Sequence, residues 1–199
     1  MSLLGRLFSA LRRSRAQAEP EGDNEAPAVA TASASERPDD GAARLVLQLS
    51  TGRVVIATRP DLAPKTVARI LELAGQGFYD GTPFHRVIAG FMAQGGDPTG
   101  TGRGGSGQRL AAEFSREPHV RGTVSMARAQ HPDSADSQFF ICFAEQPSLD
   151  GQYTVWGRVI EGMEHVDALR RGEIQANGIV DQPDVVVWMK PAGALDEAP

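Results

Sequence analysis

One arginine stands in a largely apolar, glycine-containing stretch, residues 84–97, whose sequence is FHRVIAGFMAQGGD. Arg86 is a permanently charged planar donor, and such a group can stabilise electron density on a bound molecule when its surroundings are apolar. Gln94 lies two residues beyond Met92, so the two side chains would share a face on a strand. The stretch therefore offers hydrogen-bond donors beside an apolar surface, and it holds no cysteine or serine nucleophile.

The remaining ionisable side chains predict neither a metal site nor a redox site. His85 adjoins Arg86 and would face the other side of a strand, so we expect a buried, hydrogen-bonded structural histidine. Cys142 is the only cysteine, which excludes a CxxC motif, and its mid-strand position predicts an inert buried thiol. The other histidines have no metal-ligand spacing: His119, His131 and His165. We therefore expect no metal and no cofactor.

A glycine-rich segment at residues 100–105, GTGRGG, formally matches the dinucleotide-binding pattern GxGxxG. That pattern binds a pyrophosphate only where a strand precedes it and a helix follows it. Here Asp97-Pro98 precedes and Ser106-Gly107 follows, which indicates a loop on both sides. We expect a turn-dense loop and no nucleotide.

Charge and composition divide the chain of 199 residues, whose net charge is −5. This mild acidity argues against a dedicated nucleic-acid binder, which would carry a basic patch. Residues 19–43 hold seven acids against one arginine and lack apolar periodicity, so we predict a disordered linker there. Residues 44–190 are long enough for one domain with its own core. Residues 191–199 are predicted to be a disordered tail.

The first 18 residues form a short basic amphipathic segment. Its apolar residues recur at helical spacing, and four arginines lie within it or follow it. Three interpretations stay open: the start of a disordered tail, a peripheral anchor on a membrane surface, or an export segment. We expect a cytoplasmic protein, with membrane association or a periplasmic location as the alternatives.

Alternation and turn signals predict many short strands and two helices. Pro64 would occupy the first turn of a helix that ends near Gly75, and a second helix is expected at about 163–171. The predicted strands are 44–50, 53–58, 83–88, 91–94, 122–127, 138–143, 154–160 and 184–189. Because strands and helices do not alternate, an antiparallel barrel or sandwich is favoured over a parallel sheet.

Five ordered segments resemble the cyclophilin family of peptidyl-prolyl cis-trans isomerases, most closely its compact bacterial members. They are 84–97 (FHRVIAGFMAQGGD), 122–127 (GTVSMA), 137–142 (SQFFIC), 149–151 (LDG) and 155–162 (VWGRVIEG). The resemblance covers the whole body, about 44–190. The resemblance implies a mainly β fold, a closed eight-stranded antiparallel barrel capped by two α-helices.

The resemblance also implies an isomerase that acts on X–Pro bonds in peptides and in unfolded or folding proteins. The catalytic residues would be Arg86, directed at the prolyl amide, and Gln94, bonded to the substrate backbone. The implied substrate-binding residues are Phe91, Met92, Ala127, Arg128, Ala129, Gln138, Phe140, Leu149 and Tyr153. Phe139 would face the core. The alternative is a cyclophilin-fold adaptor or chaperone that holds proline segments with little turnover.

Three positions depart from the family pattern. Ser148 stands where animal members carry a tryptophan associated with tight cyclosporin binding, so we expect weak binding of that drug. Arg128 replaces an asparagine and could bias substrate choice toward acidic neighbours. Tyr153 replaces a histidine on the pocket rim, where an aromatic ring with a polar tip can take over its packing.

Overall fold

The computed structural model describes residues 43–195, and its framework is one eight-stranded antiparallel sheet. The strands are β1 (Arg44–Leu49), β2 (Gly52–Thr58), β3 (Arg86–Ile88), β4 (Met92–Gly95), β5 (Thr123–Met126), β6 (Phe139–Cys142), β7 (Val155–Glu161) and β8 (Trp188–Pro191). Their spatial order is β3-β4-β6-β5-β7-β2-β1-β8. The sheet curls into a half-barrel around the main core.

Two helices accompany the sheet, α1 (Pro64–Gly75) and α2 (Met163–Asp167). Pro64 opens α1 as predicted, and the helix buries Val67, Ile70 and Leu73 against the sheet. No side chain of its own caps α1. The Glu113 carboxylate instead accepts hydrogen bonds from the backbone N–H groups of the first turn, at 3.1 and 2.8 Å. This distant cap ties the helix to the loop before β5.

The predicted closure of the barrel is not confirmed, because the sheet is open between β3 and β8. The chain between α2 and β8 crosses this gap and makes only two isolated bridges with the segment at 83–86. Asn177 and Gln182 adopt positive φ, and Pro183 lacks an N–H. These residues interrupt the extended backbone that a regular ladder would need.

Three element boundaries also differ from the sequence prediction by three residues or more. Strand β3 begins at Arg86, whereas the predicted strand begins at 83. Helix α2 ends at Asp167, although Leu169 beyond it is still buried. The last strand begins at Trp188, because residues 184–186 pair with the segment before β3 instead of extending β8.

The predicted terminal segments lie mostly outside the described residues. These are 1–18, 19–42 of the linker, and 196–199. Two parts of the linker and the tail belong to the described residues. Ala43 accepts hydrogen bonds from both the backbone N–H and the hydroxyl of Thr58, and Pro191 ends β8 before a 3-10 turn at Ala192–Leu195. No helix within 43–195 is long and apolar enough to cross a membrane.

Candidate functional site

The candidate site lies on the face of the sheet opposite the main core. Directly paired residues of antiparallel strands present their side chains on the same face. One row of pairs runs from Arg86 to Gln94, from Gln94 to Phe140, and from Phe140 to Ser125. This row of pairs therefore joins residues from four strands in one line across the sheet.

A second hydrophobic cluster, which we call the outer cluster, lies along this row. It contains Met92, Ala127, Phe140, Cys142 and Leu149, with Ile88, Phe91 and Tyr153 packed against it. Phe139, one residue before Phe140, belongs to the main core. Strand β6 therefore has apolar side chains on both faces, and Phe140 on its outer face lines a pocket.

The pocket has a volume of about 110 Å³ and an apolar wall with a polar edge. Phe91, Met92, Phe140 and Leu149 supply the wall, and Arg86 and Gln94 supply the edge. Such a pocket can hold a small apolar ring with a polar group at its rim.

The guanidinium of Arg86 is held by neutral groups. Its Nε donates to the Asn177 carbonyl at 2.9 Å, its Nη2 to Asn177 Oδ1 at 3.2 Å, and its Nη1 to Gln94 Oε1 at 3.3 Å. No carboxylate among residues 43–195 forms an ion pair with it. Burial lowers the pKa of Arg86, but a guanidinium remains charged near neutral pH. The pocket therefore has an uncompensated positive charge at its edge.

A chain of amides extends from Arg86 into a neighbouring groove. Gln94 Nε2 donates to Gln138 Oε1 at 3.0 Å, and Gln138 Nε2 donates to the Gly104 carbonyl at 2.8 Å. This groove has a volume of about 540 Å³. One of its walls is the loop at 97–107, which includes the GTGRGG segment.

Asp97 organises that loop from inside. Its buried carboxylate accepts backbone hydrogen bonds from Thr99, Gly102 and Gly104. Although burial acts to raise the pKa of Asp97, the Thr99 hydroxyl and these N–H groups lower it overall. A Cβ at Gly104 would lie 2.1 Å from Asp97 Oδ1, so only glycine fits there. The glycines therefore allow the loop to turn around the Asp97 carboxylate, which agrees with the predicted turn-dense loop.

Comparison with known proteins assigns the family. The family described as "Cyclophilin type peptidyl-prolyl cis-trans isomerase/CLD" matches residues 44–190. The chain belongs to the cyclophilin family. A probable peptidyl-prolyl cis-trans isomerase of Brucella abortus is 49% identical over 172 residues, which is 80% of this chain and 86% of that protein. An isomerase of Helicobacter pylori is 49% identical over 116 residues, covering 56% of this chain and 71% of the relative.

Solved structures agree with this assignment. A Cryptosporidium parvum cyclophilin-type isomerase, crystallised in the presence of the dipeptide Ala-Pro, has a TM-score of 0.68 at 31% identity. The match covers 74% of this chain and 98% of the Cryptosporidium chain. A cyclophilin from Hirschia baltica also has a TM-score of 0.68, at 30% identity, covering 78% and 75% respectively.

This cyclophilin brings nine of the eleven predicted site residues around the one pocket. They are Arg86, Phe91, Met92, Gln94, Ala127, Arg128, Phe140, Leu149 and Tyr153. The other two, Ala129 and Gln138, line the neighbouring groove, which also includes Gln94, Ala127 and Arg128. The predicted set therefore spans two adjoining concave surfaces.

The two substituted rim residues contact each other. The Arg128 guanidinium lies 4.8 Å from the centre of the Tyr153 ring, within the range of a cation–π contact. It also donates to the carbonyls of Ala129, Gln130 and Gln152. Arg128 thus ties its own loop to Gln152, the residue before Tyr153, while adding positive charge to the rim. Ser148 is exposed on the turn that carries Leu149.

Histidine and cysteine positions match the sequence predictions only in part. His85 is buried as expected, but neither ring nitrogen has a hydrogen-bond partner of normal geometry within residues 43–195. Burial lowers the pKa of His85, and the Asp97 carboxylate and Pro83 carbonyl offset this only in part. Cys142 is a free, buried thiol, as expected, and burial raises its pKa to about 12.

Sequence reasoning missed two features of the site. Asn177 contacts Arg86 from 91 positions away along the chain. The only signal was the Asn177-Gly178 dipeptide, which indicates a turn but not its neighbour. The groove also contains Arg103, Arg109 and Asp136, which belong to or contact a loop that we predicted only to be turn-rich. In the sequence, the charged residues beside this loop were the sign that it could form part of a binding surface.

Proposed function

We propose that the protein accelerates rotation about X–Pro peptide bonds by stabilising the twisted amide with Arg86 while the proline ring occupies the pocket. The observation that carries this proposal is the uncompensated guanidinium at the edge of an apolar pocket. An amide C–N bond resists rotation by ~18–20 kcal/mol, because it has partial double-bond character. Donation to the prolyl nitrogen favours the twisted, unconjugated amide over the planar one, which lowers that barrier.

The uncatalysed rate sets how far the site has to lower the activation free energy of rotation. Uncatalysed isomerisation takes tens to hundreds of seconds. Reaching a time of ~0.1 ms from ~100 s needs roughly 8 kcal/mol. One well-placed donor contributes about 2.7–4 kcal/mol. The remainder would come from contacts with the flanking backbone that are stronger in the twisted geometry than in the planar one.

Gln94 supports this chemistry in two ways. Its Oε1 accepts from Arg86 at 3.3 Å, a long contact that a substrate could compete with. Its Nε2 is fixed by Gln138, so the side chain is oriented before a substrate arrives. We infer that Gln94 orients the guanidinium and bonds the substrate backbone, with Ala127, Ala129 and Gln138 lining the adjoining path.

The neighbouring groove favours acidic residues close to the prolyl bond. Three arginines line it, namely Arg103, Arg109 and Arg128, against the single carboxylate of Asp136. That carboxylate already accepts hydrogen bonds from Ser106 and Gly107. We expect Glu at one flanking position of a peptide to improve kcat/KM over Lys at that position, and added salt to reduce the difference.

Substrates of this kind would be proline-containing peptides and unfolded or folding proteins. The structure of the Cryptosporidium relative was obtained in the presence of Ala-Pro, which supports recognition of a prolyl dipeptide by this pocket type. A membrane contact through residues 1–18 and a cytoplasmic location stay predictions. Flotation of the full chain with liposomes, compared with a chain that lacks 1–18, tests the membrane contact.

NMR exchange on a short Ala-Pro-Phe peptide tests the proposal directly. The full chain should interconvert the cis and trans peptide rapidly, and Arg86→Ala should slow this by about 10²–10³-fold. Arg158→Ala, which removes an exposed arginine from β7, is the matched control. Slow exchange in the unaltered chain, with the peptide still bound, would instead favour the low-turnover adaptor. Equal rates in Arg86→Ala and the control would refute the role of Arg86.

A further inference from the structure

Three buried or partly buried side chains behind the pocket form a hydrogen-bonded line. The Nδ1 atom of His119 lies 2.9 Å from Asp150 Oδ1, and its Nε2 atom lies 2.9 Å from Ser125 Oγ. A histidine between a carboxylate and a hydroxyl holds one tautomer, in which Nδ1–H donates to the carboxylate and Nε2 accepts from the hydroxyl. All three partners are then satisfied at once.

This line resembles a nucleophilic triad, but it cannot act as one. Ser125 is fully buried, and the side chain of His119 is equally inaccessible. A nucleophile must reach its substrate, and Phe140, paired with Ser125 on the same face, lies on the pocket side. The arrangement therefore needs another explanation, which its neighbours supply.

His119 clamps the turn that carries one wall of the pocket. Its carbonyl accepts from the Gln146 N–H at 2.7 Å, and its N–H donates to Asp150 Oδ1 at 2.8 Å. These two bonds lie at the two ends of the 3-10 turn Pro147–Leu149. Its side chain makes a third bond to Asp150. Leu149, between these anchors, lines the pocket.

The His119 ring also contacts the two aromatic walls. It stacks on Phe140 with 6.1 Å between ring centres and an angle of 17°. It meets the Tyr153 ring edge-on at 6.5 Å, and Tyr153 meets Phe140 edge-on at 5.6 Å. These distances lie within the favourable range for aromatic pairs. The His119 ring thus contacts Phe140 and Tyr153 directly, and its hydrogen bond to Asp150 holds the turn that carries Leu149.

We propose that His119 is a positioning residue that sets the width of the pocket by linking β5 to the Leu149 turn. The proposal rests on the proposed function, since it assigns a purpose to the same pocket. The ring of a substrate proline occupies the pocket in the planar and the twisted states alike. A looser pocket therefore weakens both states equally, which raises KM and leaves kcat nearly unchanged.

Two replacements separate the two side-chain bonds of His119. In His119→Asn the side-chain amide nitrogen can take the place of Nδ1 and keep the bond to Asp150, while the link to Ser125 is lost. In His119→Gln the longer amide can take the place of Nε2 and keep the bond to Ser125, while the link to Asp150 is lost. Asp150→Ala breaks the bond between His119 and Asp150 by changing Asp150, whose side chain is partly exposed. It therefore provides a second test if a His119 variant fails to fold.

The test measures kcat, KM and Tm with the Ala-Pro-Phe peptide, and its Kd by NMR titration, in the full chain. His131→Gln is the matched control, since His131 is exposed and its ring accepts only from the Asp133 N–H. We expect KM and Kd to rise about fivefold in His119→Gln, where the side-chain bond to Asp150 is lost, and by more than fivefold in Asp150→Ala, where the bond from the His119 backbone N–H is lost as well. His119→Asn should raise both by a similar factor, and kcat should change by less than twofold in all three.

Two results would overturn the proposal. One is a KM equal to that of the control in every variant despite a lower Tm, because His119 would then only stabilise the fold. The other is a fall in kcat at constant KM, because His119 would then act on the transition state. If the unaltered chain binds the peptide without accelerating exchange, the isomerase proposal fails, while the Kd values still test His119. An unaltered chain that does not bind the peptide contradicts both.

Discussion

Asn177 orients the Arg86 guanidinium, and its replacement by glycine would remove one contact without disturbing the backbone. The main-chain carbonyl of Asn177 accepts from Arg86 Nε, and its Oδ1 accepts from Nη2 at 3.2 Å. Asn177 has a φ of 55°, a left-handed conformation that glycine adopts without strain. Asn177→Gly therefore keeps the carbonyl in place and deletes only the Oδ1 contact.

The expected magnitude follows from that single contact. A hydrogen bond to a charged group contributes about 1.5–3 kcal/mol, and this one is exposed and long, so we assign it about 1 kcal/mol. This corresponds to a loss of about fivefold in kcat. KM should change little, because Asn177 is not among the residues that line the pocket. Asn177→Ala should lose the same activity and also about 1–2 kcal/mol of stability, since alanine is strained at positive φ.

NMR exchange on Ala-Pro-Phe gives the activity, and urea unfolding gives the stability. Gln182→Gly is the matched control, because Gln182 also has a positive φ, 53°, and lies in the same connection. It should leave kcat unchanged, since its carbonyl contacts Arg170 and not Arg86. A kcat for Asn177→Gly within twofold of the Gln182→Gly value would show that Asn177 does not orient Arg86.

Three further predictions concern stability and ligand choice. Because burial lowers the folded-state pKa of His85, the unfolded chain gains the proton first below about pH 6.5. Stability should therefore be full above that pH and decline as the pH falls toward the folded-state pKa, and His85→Gln should flatten this dependence of the urea midpoint. Ser148→Trp should tighten cyclosporin binding about tenfold in calorimetry, and an unchanged Kd would contradict our reading of that position. Glu113→Ala should cost about 1 kcal/mol by uncapping α1, a Tm loss of about 2–4 °C relative to the control Glu145→Ala, which removes an exposed glutamate.

Local patterns predicted the elements whose stabilising contacts are near in sequence. The β1–β2 hairpin follows from alternation on both sides of Thr51-Gly52, and α1 begins at Pro64 as expected. The apolar run at 184–189 misled the prediction of β8, because Val186 is a core residue of a crossing segment. Strand propensity could not reveal that this segment pairs with 82–84 instead of extending β8.

The same distinction holds for the site. Arg86 and Gln94 lie on one β3–β4 hairpin, so a local string could predict that they act together. Asn177 and the groove arginines come to the site only through the fold, as does the contact between His119 and Asp150, which are 31 positions apart. A single sequence carries no sign of such long-range contacts beyond turn residues and isolated polar residues.

Strand β6 explains why this sheet has a binding surface at all. An antiparallel strand with one solvated face usually alternates apolar and polar residues. In β6 the sequence is Phe-Phe-Ile-Cys, in which Phe139 and Ile141 enter the main core and Phe140 and Cys142 form the outer cluster. The Leu149 turn and Tyr153 cover this outer face only in part, and the pocket left between them and Phe140 favours binding of an apolar group. The Arg86 charge at its edge then determines that the favoured group has a polar atom directly beside its ring.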